Sequence, residues 1–347
     1  MSTPALRRPI FPVAVAGRGA ISPAGAGVEA LLKREPILAS ELVSLRAPET
    51  RRYPVLRVDP KQPALDRWAR EPRLRRASPV AVYLVEAAAQ ALEGWTRPAD
   101  ARLGIVGAFF CGCPAYSRRF FEQTIRHGQS AASPALFPET VYNSPLSHAA
   151  SILGIGGAAY AVVGDDTAWL DALRVGATWL ALEEVDAVLV VAAEELDIIA
   201  VEAYAAAGWL RSGSQFRPSE GAASVLLRRP GPEEKVDRID AISLGNSYRN
   251  PADARVAARD AVAQFLPDLP VFPTAGHSWL EGIARDATGA RLGVIDAGYL
   301  GEAFGATAGW NTLRALSRDA HPPVGNDWIV PIWGQNHQIS ALKVSRA

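Results

Sequence analysis

Short apolar runs, separated by longer stretches rich in alanine and leucine, restrict the fold of this chain more than any other feature. Several are rich in valine, and they occupy residues 13–16, 103–110, 158–163, 185–193 and 222–227. Runs of this length that are apolar at successive positions are typical of strands covered by helices on both faces of a sheet. The pattern therefore predicts an α/β fold in which buried strands alternate with helices.

Two of the intervening stretches carry clear helical signals. Ser78 and Pro79 precede the apolar residues 80–92, and serine before a helix with proline in its first turn is a favourable start. The second stretch, residues 166–182, is apolar nearly all round. A helix of that kind must be buried on most sides, so we expect it to lie between layers and to be the central element of the fold.

A charged segment broken by prolines, residues 228–237 (RRPGPEEKVD), is the strongest candidate for a linker. After it the alternation restarts, with strands predicted at residues 239–244, 271–272, 292–295, 328–332 and 339–344 and helices near 252–265 and 302–316. We therefore divide the chain into two βα halves, residues 1–228 and 229–347. They are expected to form one integrated unit in which the second half is reduced.

Charge and cysteine content exclude several classes of function. Thirty-six Lys and Arg residues balance thirty-six Asp and Glu residues, so bulk charge favours no nucleic acid, and an acidic partner must be met by a local patch. The only cysteines, Cys111 and Cys113, are too few and too close for a disulfide framework or a zinc site, which favours a reducing cytoplasm and no metal. No apolar run approaches the roughly 18 residues of a membrane helix. We expect neither a membrane span nor a cofactor.

Four segments resemble elements of the β-ketoacyl synthases of the thiolase superfamily, and they occur in the family's order. Residues 13–25 (VAVAGRGAISPAG) resemble its opening strand and turn, and residues 133–143 (SPALFPETVYN), followed by His148, resemble the segment before the nucleophile strand. Residues 192–195 (AAEE) resemble a Gly-Gly-Ala-Glu strand end, and residues 301–309 (GEAFGATAG) a Gly-His-Thr-x-Gly-Ala-Ala-Gly element. The resemblance implies a thiolase-like fold with a layered α-β-α-β-α core.

The family's catalytic groups are missing from the positions that the resemblance assigns to them. Asp166 replaces the cysteine at the start of the central helix, where the helix dipole favours a thiolate. Glu302 replaces one catalytic histidine and Ala297 the family lysine. Gly276 replaces the other histidine, although His277 is one residue away and a small shift in register would recruit it. We expect no catalytic residue among them, with Asp166 an ionised N-cap or first-turn acid.

The two cysteines lie elsewhere, within residues 109–114 (FFCGCP) after the second strand. They could be a displaced nucleophile, a redox pair or small packed residues of a loop, and we favour the packed loop because nothing nearby supplies a base. His148 is expected to be a hydrogen-bonded structural histidine. Residues 333–337 (WGQNH) only loosely resemble the family's Gly-Phe-Gly-Gly-Thr-Asn loop.

A retained framework without catalytic groups resembles the chain-length factors, which are the inactive ketosynthase subunits of this family. The resemblance implies a heterodimer with an active β-ketoacyl synthase, work with an acyl carrier protein, and a part in shaping the acyl tunnel in polyketide, aryl polyene or fatty-acid-like biosynthesis. It places residues 133–143 at the partner's tunnel and residues 158–163 at the two-fold axis. The bulky candidates for the end of the tunnel or the interface are Leu136, Phe137, Tyr142 and Trp169.

Two other interpretations remain open. In one, Asp166 with His277 or Glu302 decarboxylates or hydrolyses a malonyl thioester without a covalent intermediate. In the other, the chain is a stand-alone binding or scaffold homodimer. Turnover of a malonyl thioester by the isolated chain would identify the first, and co-purification with a ketosynthase would exclude the second.

Overall fold

The computed structural model describes residues 12–33, 35–45, 50–212, 214, 216–265, 269–271, 298–318 and 326–347. The strands in these ranges are β1 (Val13–Ser22), β2 (Gly25–Ala26), β3 (Ser40–Val43), β4 (Arg52–Val55), β5 (Leu103–Phe109), β6 (Ala159–Val163), β7 (Ala187–Glu194), β8 (Gly221–Arg228), β9 (Arg238–Ile242), β10 (Asn246–Ser247), β11 (Asp327–Gly334) and β12 (Gln338–Ser345). The α-helices are α1 (Pro63–Asp66), α2 (Pro79–Leu92), α3 (Pro114–His127), α4 (Ser144–Ile152), α5 (Ala168–Ala181), α6 (Ile198–Ala206), α7 (Pro251–Ala263) and α8 (Gly305–Ala315). None of these helices is long and apolar enough to cross a membrane.

One mixed sheet joins ten of the strands. Its main path runs β10-β12-β9-β1-β8-β7-β5-β6, with β2 beside β1 and β11 beside β12, while β3 and β4 form a separate hairpin. β5 is parallel to both β6 and β7, and the other pairs are antiparallel. Because β1 pairs with both β8 and β9, the sheet continues across the boundary expected between residues 228 and 229.

The helices and strands are stacked in the predicted α-β-α-β-α order. α2 and α4 pack on one face of β1, β5, β7 and β8, and α5 and α8 lie against the other face. The apolar core around α5 and α8 also includes side chains of β9, β11 and β12, so the sheet curls over these two helices. α7 covers the outside of β12. The helix predicted at residues 166–182 is thus central, although Asp171 and Thr178 keep one side of it exposed.

The strand predicted at residues 158–163 is present, but the expectation that it is buried on both faces is wrong. β6 is the last strand at one edge of the sheet, and among the described strands it pairs with β5 alone. Tyr160 and Val163 are 55% and 53% exposed. An apolar strand at an edge leaves its outer backbone groups available for pairing with another chain. β6 therefore forms part of the protein surface and not of the core.

The start of α2 also differs in detail from the prediction. Ser78 occupies the N-cap position, but its side chain accepts no helix amide. Its hydroxyl donates instead to Glu195 (2.6 Å), which also accepts from Val80 N (2.9 Å) and from Ala115 N (3.0 Å) at the start of α3. One buried carboxyl group at the end of β7 therefore binds the N-termini of two helices, where a negative group is favoured.

Two predictions for the second half need adjustment. The helix predicted from residue 302 begins at Gly305, because Phe304 has φ +49°, which is incompatible with a right-handed helix. Val271 forms an isolated bridge with Ile329, whereas residue 272 and the strand predicted at 292–295 lie outside the described residues. The other predicted strands and helices are confirmed within a few residues.

Candidate functional site

The turn between β6 and α5 places two buried acidic residues at the N-terminus of the central helix. The Asp165 carboxylate accepts hydrogen bonds from Thr167 N (3.1 Å), Thr167 Oγ1 (2.8 Å) and Asn336 N (2.8 Å). Asp166 is 4% exposed, and no backbone or side-chain donor of the described residues reaches its Oδ2. The amide of Thr167, at the N-cap position of α5, therefore donates to Asp165 and not to Asp166, which was the expected acid.

Glu302 reaches the same place from the turn that precedes α8. Gly301 has φ +73°, a conformation that glycine adopts without strain, and main-chain hydrogen bonds to residues 217–219 fix the turn. The Glu302 side chain then points inward, where it accepts hydrogen bonds from Phe304 N (2.7 Å) and from the Thr307 hydroxyl. Only 8% of Glu302 is exposed.

Asp166 and Glu302 form a hydrogen-bonded pair of carboxyl groups inside the protein. Burial first, and then the charges of Glu302 and Asp165, raise the pKa of Asp166 well above its usual value, and burial also raises the pKa of Glu302. Two acids at one buried place retain a proton between them. Because Glu302 already has two donors, we place that proton on Asp166, which donates it to Glu302.

The two thiols lie near the end of β5, where Cys111 is partly buried and Cys113 is buried. Cys111 Sγ lies 2.9 Å from the Tyr204 hydroxyl, and Cys113 is 2% exposed. Burial, and next the charge of Glu194, raise the pKa of Cys111 to about 12, and burial raises the pKa of Cys113 even more. Thiols that ionise only in strong alkali are poor nucleophiles, in agreement with the packed-loop interpretation.

The predicted histidines are only partly covered by the described residues. His148 lies in α4 with Nε2 2.9 Å from the Glu139 carboxylate, so it is the structural histidine that the sequence predicts. Gly276, His277 and Ala297 lie outside the described residues, and the pairing of His277 with Asp166 stays a prediction. In the part of the chain that is described, no three His, Cys, Asp or Glu side chains are grouped to hold a metal ion.

Five aromatic rings pack together beside the carboxyl pair. Phe110 and Phe304 are stacked with centroids 4.2 Å apart, and the other close centroid distances in the group range from 5.4 to 6.5 Å. The members of this aromatic cluster are Phe110, Tyr204, Trp209, Phe216 and Phe304. Sequence reasoning missed the cluster because its members come from separate segments and share no spacing.

A model of the N-terminal domain of β-ketoacyl synthases matches residues 11–229, which include β1–β8 and the turn that carries Asp166. The chain belongs to the β-ketoacyl synthase family. A search of curated proteins gave no match.

Solved structures of ketosynthases and chain-length factors have the same fold as this chain. The ishigamide ketosynthase/chain length factor superposes with a TM-score of 0.78 at 16% identity, over 97% of this chain and 99% of that one. For the AntDE:AntF complex of a type II polyketide acyl-carrier protein with its ketosynthase, the TM-score is 0.76 at 17% identity, over 97% and 100%. For the ketosynthase ApeO with its chain length factor ApeC from Xenorhabdus doucetiae, it is 0.75 at 14% identity, over 100% of both chains. These similarities confirm the predicted thiolase-like fold.

In this chain, the four candidates for the tunnel or the interface lie in two different environments. Leu136 is half-buried, and Phe137 and Tyr142 are 55% and 38% exposed, so the segment 133–143 presents them at the surface. Trp169 is completely buried, and its Nε1 donates to Thr312 Oγ1 of α8 (3.0 Å). The structure therefore leaves three candidates at least partly exposed and buries Trp169 inside the chain.

A strongly basic cleft adjoins this surface. It has a volume of about 500 Å³ and lies between α3, the residues before α2 and the segment that contains Leu136. Its arginines are Arg75, Arg76, Arg119 and Arg126. The only acidic residue of its lining, Glu122, is bound by Arg118 (2.8 Å) outside the lining. The local patch that an acidic partner would need is thus present. Its arginines come from two separate segments, so the patch forms only when the chain folds.

Proposed function

We propose that this chain is the non-catalytic subunit of a ketosynthase pair, a chain-length factor that helps to shape the acyl tunnel of an active β-ketoacyl synthase in polyketide, aryl polyene or fatty-acid-like biosynthesis. The observation that carries the proposal is the Asp166–Glu302 pair. It occupies the start of the central helix, which the resemblance assigns to the nucleophile of the active enzymes.

The carboxyl pair is unsuited to condensation. A condensing enzyme needs a thiolate to accept the acyl chain and neutral or positive donors to stabilise an enolate. Acyl transfer from a thioester to Asp166 would give a mixed anhydride, which is uphill, and an ionised Glu302 would repel the enolate. Cys111 is partly buried, Cys113 is buried, and both have raised pKa values, so they offer no replacement thiolate. The proposal therefore assigns condensation to the partner subunit.

The edge strand β6 supports an active synthase as the partner. Its outer side pairs with no strand of the described chain, and Tyr160 and Val163 are exposed on it. Pairing with an equivalent strand would continue the sheet into the partner and cover both side chains. A joined sheet edge with an apolar surface is typical of permanent rather than transient interfaces.

The surface around the segment 133–143 supports a role at the partner's tunnel. Phe137 contacts Phe120, whose ring lies 5.9 Å from that of Phe121, and Phe121 is 62% exposed. An exposed apolar patch of this kind marks a contact surface. In the proposal Leu136, Phe137 and Tyr142 face the acyl chain, whereas Trp169 supports the fold because it is buried within this chain.

The basic cleft supports an acyl carrier protein as the second partner. Its arginines form a surface complementary to acidic side chains or to the phosphate of a prosthetic arm. Leu136 lines the cleft, so a carrier bound there would lie next to the proposed tunnel segment. No cofactor is required of this subunit.

Co-expression with an active β-ketoacyl synthase from the same organism tests the proposal. We expect a one-to-one complex by size exclusion and native mass spectrometry, and condensing activity only in that complex. Val163→Arg in β6 should abolish the complex, whereas Leu38→Arg, at a leucine 92% exposed outside β6, should not. A chain that stays monomeric, or that pairs only with itself as a scaffold homodimer, would contradict the proposal.

One observation favours the second function considered above. The structure brings Asp166 and Glu302 together, and a shared proton between carboxyl groups is suited to general acid–base catalysis. In this alternative the isolated chain would decarboxylate or hydrolyse a malonyl thioester, and Glu302→Gln would abolish that turnover. Against it, both groups are almost completely buried. Absence of turnover by the isolated wild-type chain would exclude it.

A further inference from the structure

A continuous series of contacts connects the carboxyl pair with Tyr142. We propose that Asp166 and Glu302 are positioning residues for Tyr142 and act on it through Phe304 and Phe110. The residues at the place of the family's nucleophile would then determine where the Tyr142 ring, which faces the proposed tunnel, lies. The consequence for the tunnel rests on the proposed function, whereas the positioning itself can be tested on the isolated chain.

The first step is the backbone of Phe304. Its dihedral angles, φ +49° and ψ −118°, are unfavourable for a non-glycine residue and persist only when neighbouring groups enforce them. Glu302 does so by accepting the hydrogen bond from Phe304 N (2.7 Å). Next to it, Ala303 N donates to Thr307 Oγ1 (2.7 Å). In the proposal Asp166 acts through its hydrogen bond with Glu302, which holds that carboxylate in this orientation.

The second step is the contact between two rings. Phe304 stacks on Phe110 with centroids 4.2 Å apart and planes 30° apart. Tyr204 and Trp209 lie 5.4 and 5.9 Å from Phe304, so the ring is enclosed and only 2% of the residue is exposed. In a densely packed cluster of this kind, a change in the Phe304 backbone must be accommodated by its neighbours, and Phe110 is the closest ring.

The third step runs along the backbone of Phe110. Phe110 N donates to the Glu194 carboxyl group, and Phe110 O accepts a hydrogen bond from the Tyr142 hydroxyl (3.2 Å). The Tyr142 ring lies on Gly112, where a Cβ atom would come within 2.7 Å of two ring atoms. Gly112 also has φ +66°, so both the contact with the ring and the backbone conformation favour glycine at this position. Tyr142 is thus fixed at one face and exposed at the other.

Labelling of Cys113 measures the position of Tyr142 without any enzyme assay. In a Cys111→Ser background Cys113 is the only thiol of the chain. It is buried, with Sγ 3.9 Å from Val141 O, next to Tyr142. Movement of this part of the segment away from Cys113 would open the thiol to a neutral reagent, and the labelling rate of the full chain reports that movement.

We expect Glu302→Ala to raise the labelling rate on the order of tenfold, as for the loss of one buried hydrogen bond to a charged group. Glu302→Gln keeps an oxygen for Phe304 N and should stay within about twofold of the wild type. Tyr142→Phe should also raise the rate, and its effect should not add to that of Glu302→Ala, because both break the same series of contacts. Ile329→Ala controls for general destabilisation, since Ile329 is buried in a separate cluster with Phe265 and Ala341.

Equal rates for Glu302→Ala and Glu302→Gln would overturn the inference, as would an equal increase in Ile329→Ala or additive effects in the double variant. In the complex with the partner synthase, Glu302→Ala should also broaden the range of product lengths. If labelling changes as expected and product length does not, the positioning stands and the tunnel assignment of the proposed function fails.

Discussion

Replacing Asp166 with asparagine should make the protein less sensitive to rising pH. Asparagine has nearly the shape of a protonated aspartic acid and can still donate a hydrogen bond to Glu302, but it does not titrate. The variant therefore keeps the hydrogen bond between residue 166 and Glu302, but it no longer has to hold a titratable proton at residue 166. Its stability relative to the wild type is expected to depend on pH in a defined way.

The size of the effect follows from the raised pKa of Asp166. In the unfolded chain this carboxyl group ionises with a pKa of 3.8, whereas the folded protein keeps it protonated. The folded state thus binds one more proton, and the free energy of unfolding falls by about 1.4 kcal/mol per pH unit as the pH rises through this range. The asparagine variant is relieved of this dependence over the interval between the unfolded and the folded pKa of Asp166.

Urea unfolding followed by tryptophan fluorescence between about pH 5 and pH 8 measures this difference. Burial also raises the pKa of Glu194 to about 8 and that of Glu195 to about 7, but these groups are common to both proteins and cancel. Asp171→Asn, at an exposed position of the same helix, is the matched control and should follow the wild type. Parallel pH profiles for Asp166→Asn and the wild type would refute the reasoning, because they would mean that Asp166 is ionised in the folded protein.

Three further results are expected. An acyl-carrier thioester should leave the isolated chain unmodified by intact-mass spectrometry, and Asp166→Cys alone should not condense, since Glu302 remains and a missing oxyanion donor costs about 10²–10³ in rate. Alanine at Leu136, Phe137 or Tyr142 should lengthen the products of the complex with little change in melting temperature, whereas Trp169→Ala should cost about 3–5 kcal/mol of stability without changing product length. Arg119→Glu should weaken carrier binding in titrations at low salt more than at high salt, and Arg249→Glu, outside the cleft, should not.

Local sequence predicted most of the fold because burial of a strand or helix is visible in its own residues. β5, β7 and α5 are apolar at the positions that the sheet and the helices cover. The exposure of β6 could not be predicted in this way, since it depends on the order of strands in the sheet and not on the composition of the strand. The late start of α8 likewise depends on Phe304, whose conformation is imposed by Glu302 and the aromatic cluster.

The resemblance identified Asp166 and Glu302 as replacements, but it could not show that they contact each other. The two residues come from different halves of the chain, and no periodic pattern relates them. The same holds for the series from Phe304 through Phe110 to Tyr142, in which the decisive partners are main-chain atoms. Main-chain hydrogen bonds of this kind are independent of residue type, so they leave no trace in a single sequence.

The pairing of β1 with β8 and β9 has a consequence for how the protein is made. β1 pairs at its end with the short β2, but its longer partners β8 and β9 are synthesised only about 200 residues later, which takes on the order of 10–40 s at ribosomal rates of roughly 5–20 residues per second. During that interval most of both edges of an apolar strand are unpaired while the helices that will cover it are already emerging. The ribosome-bound chain is therefore expected to depend on chaperones until residue 228 has emerged, and fragments that end before β8 are expected to aggregate.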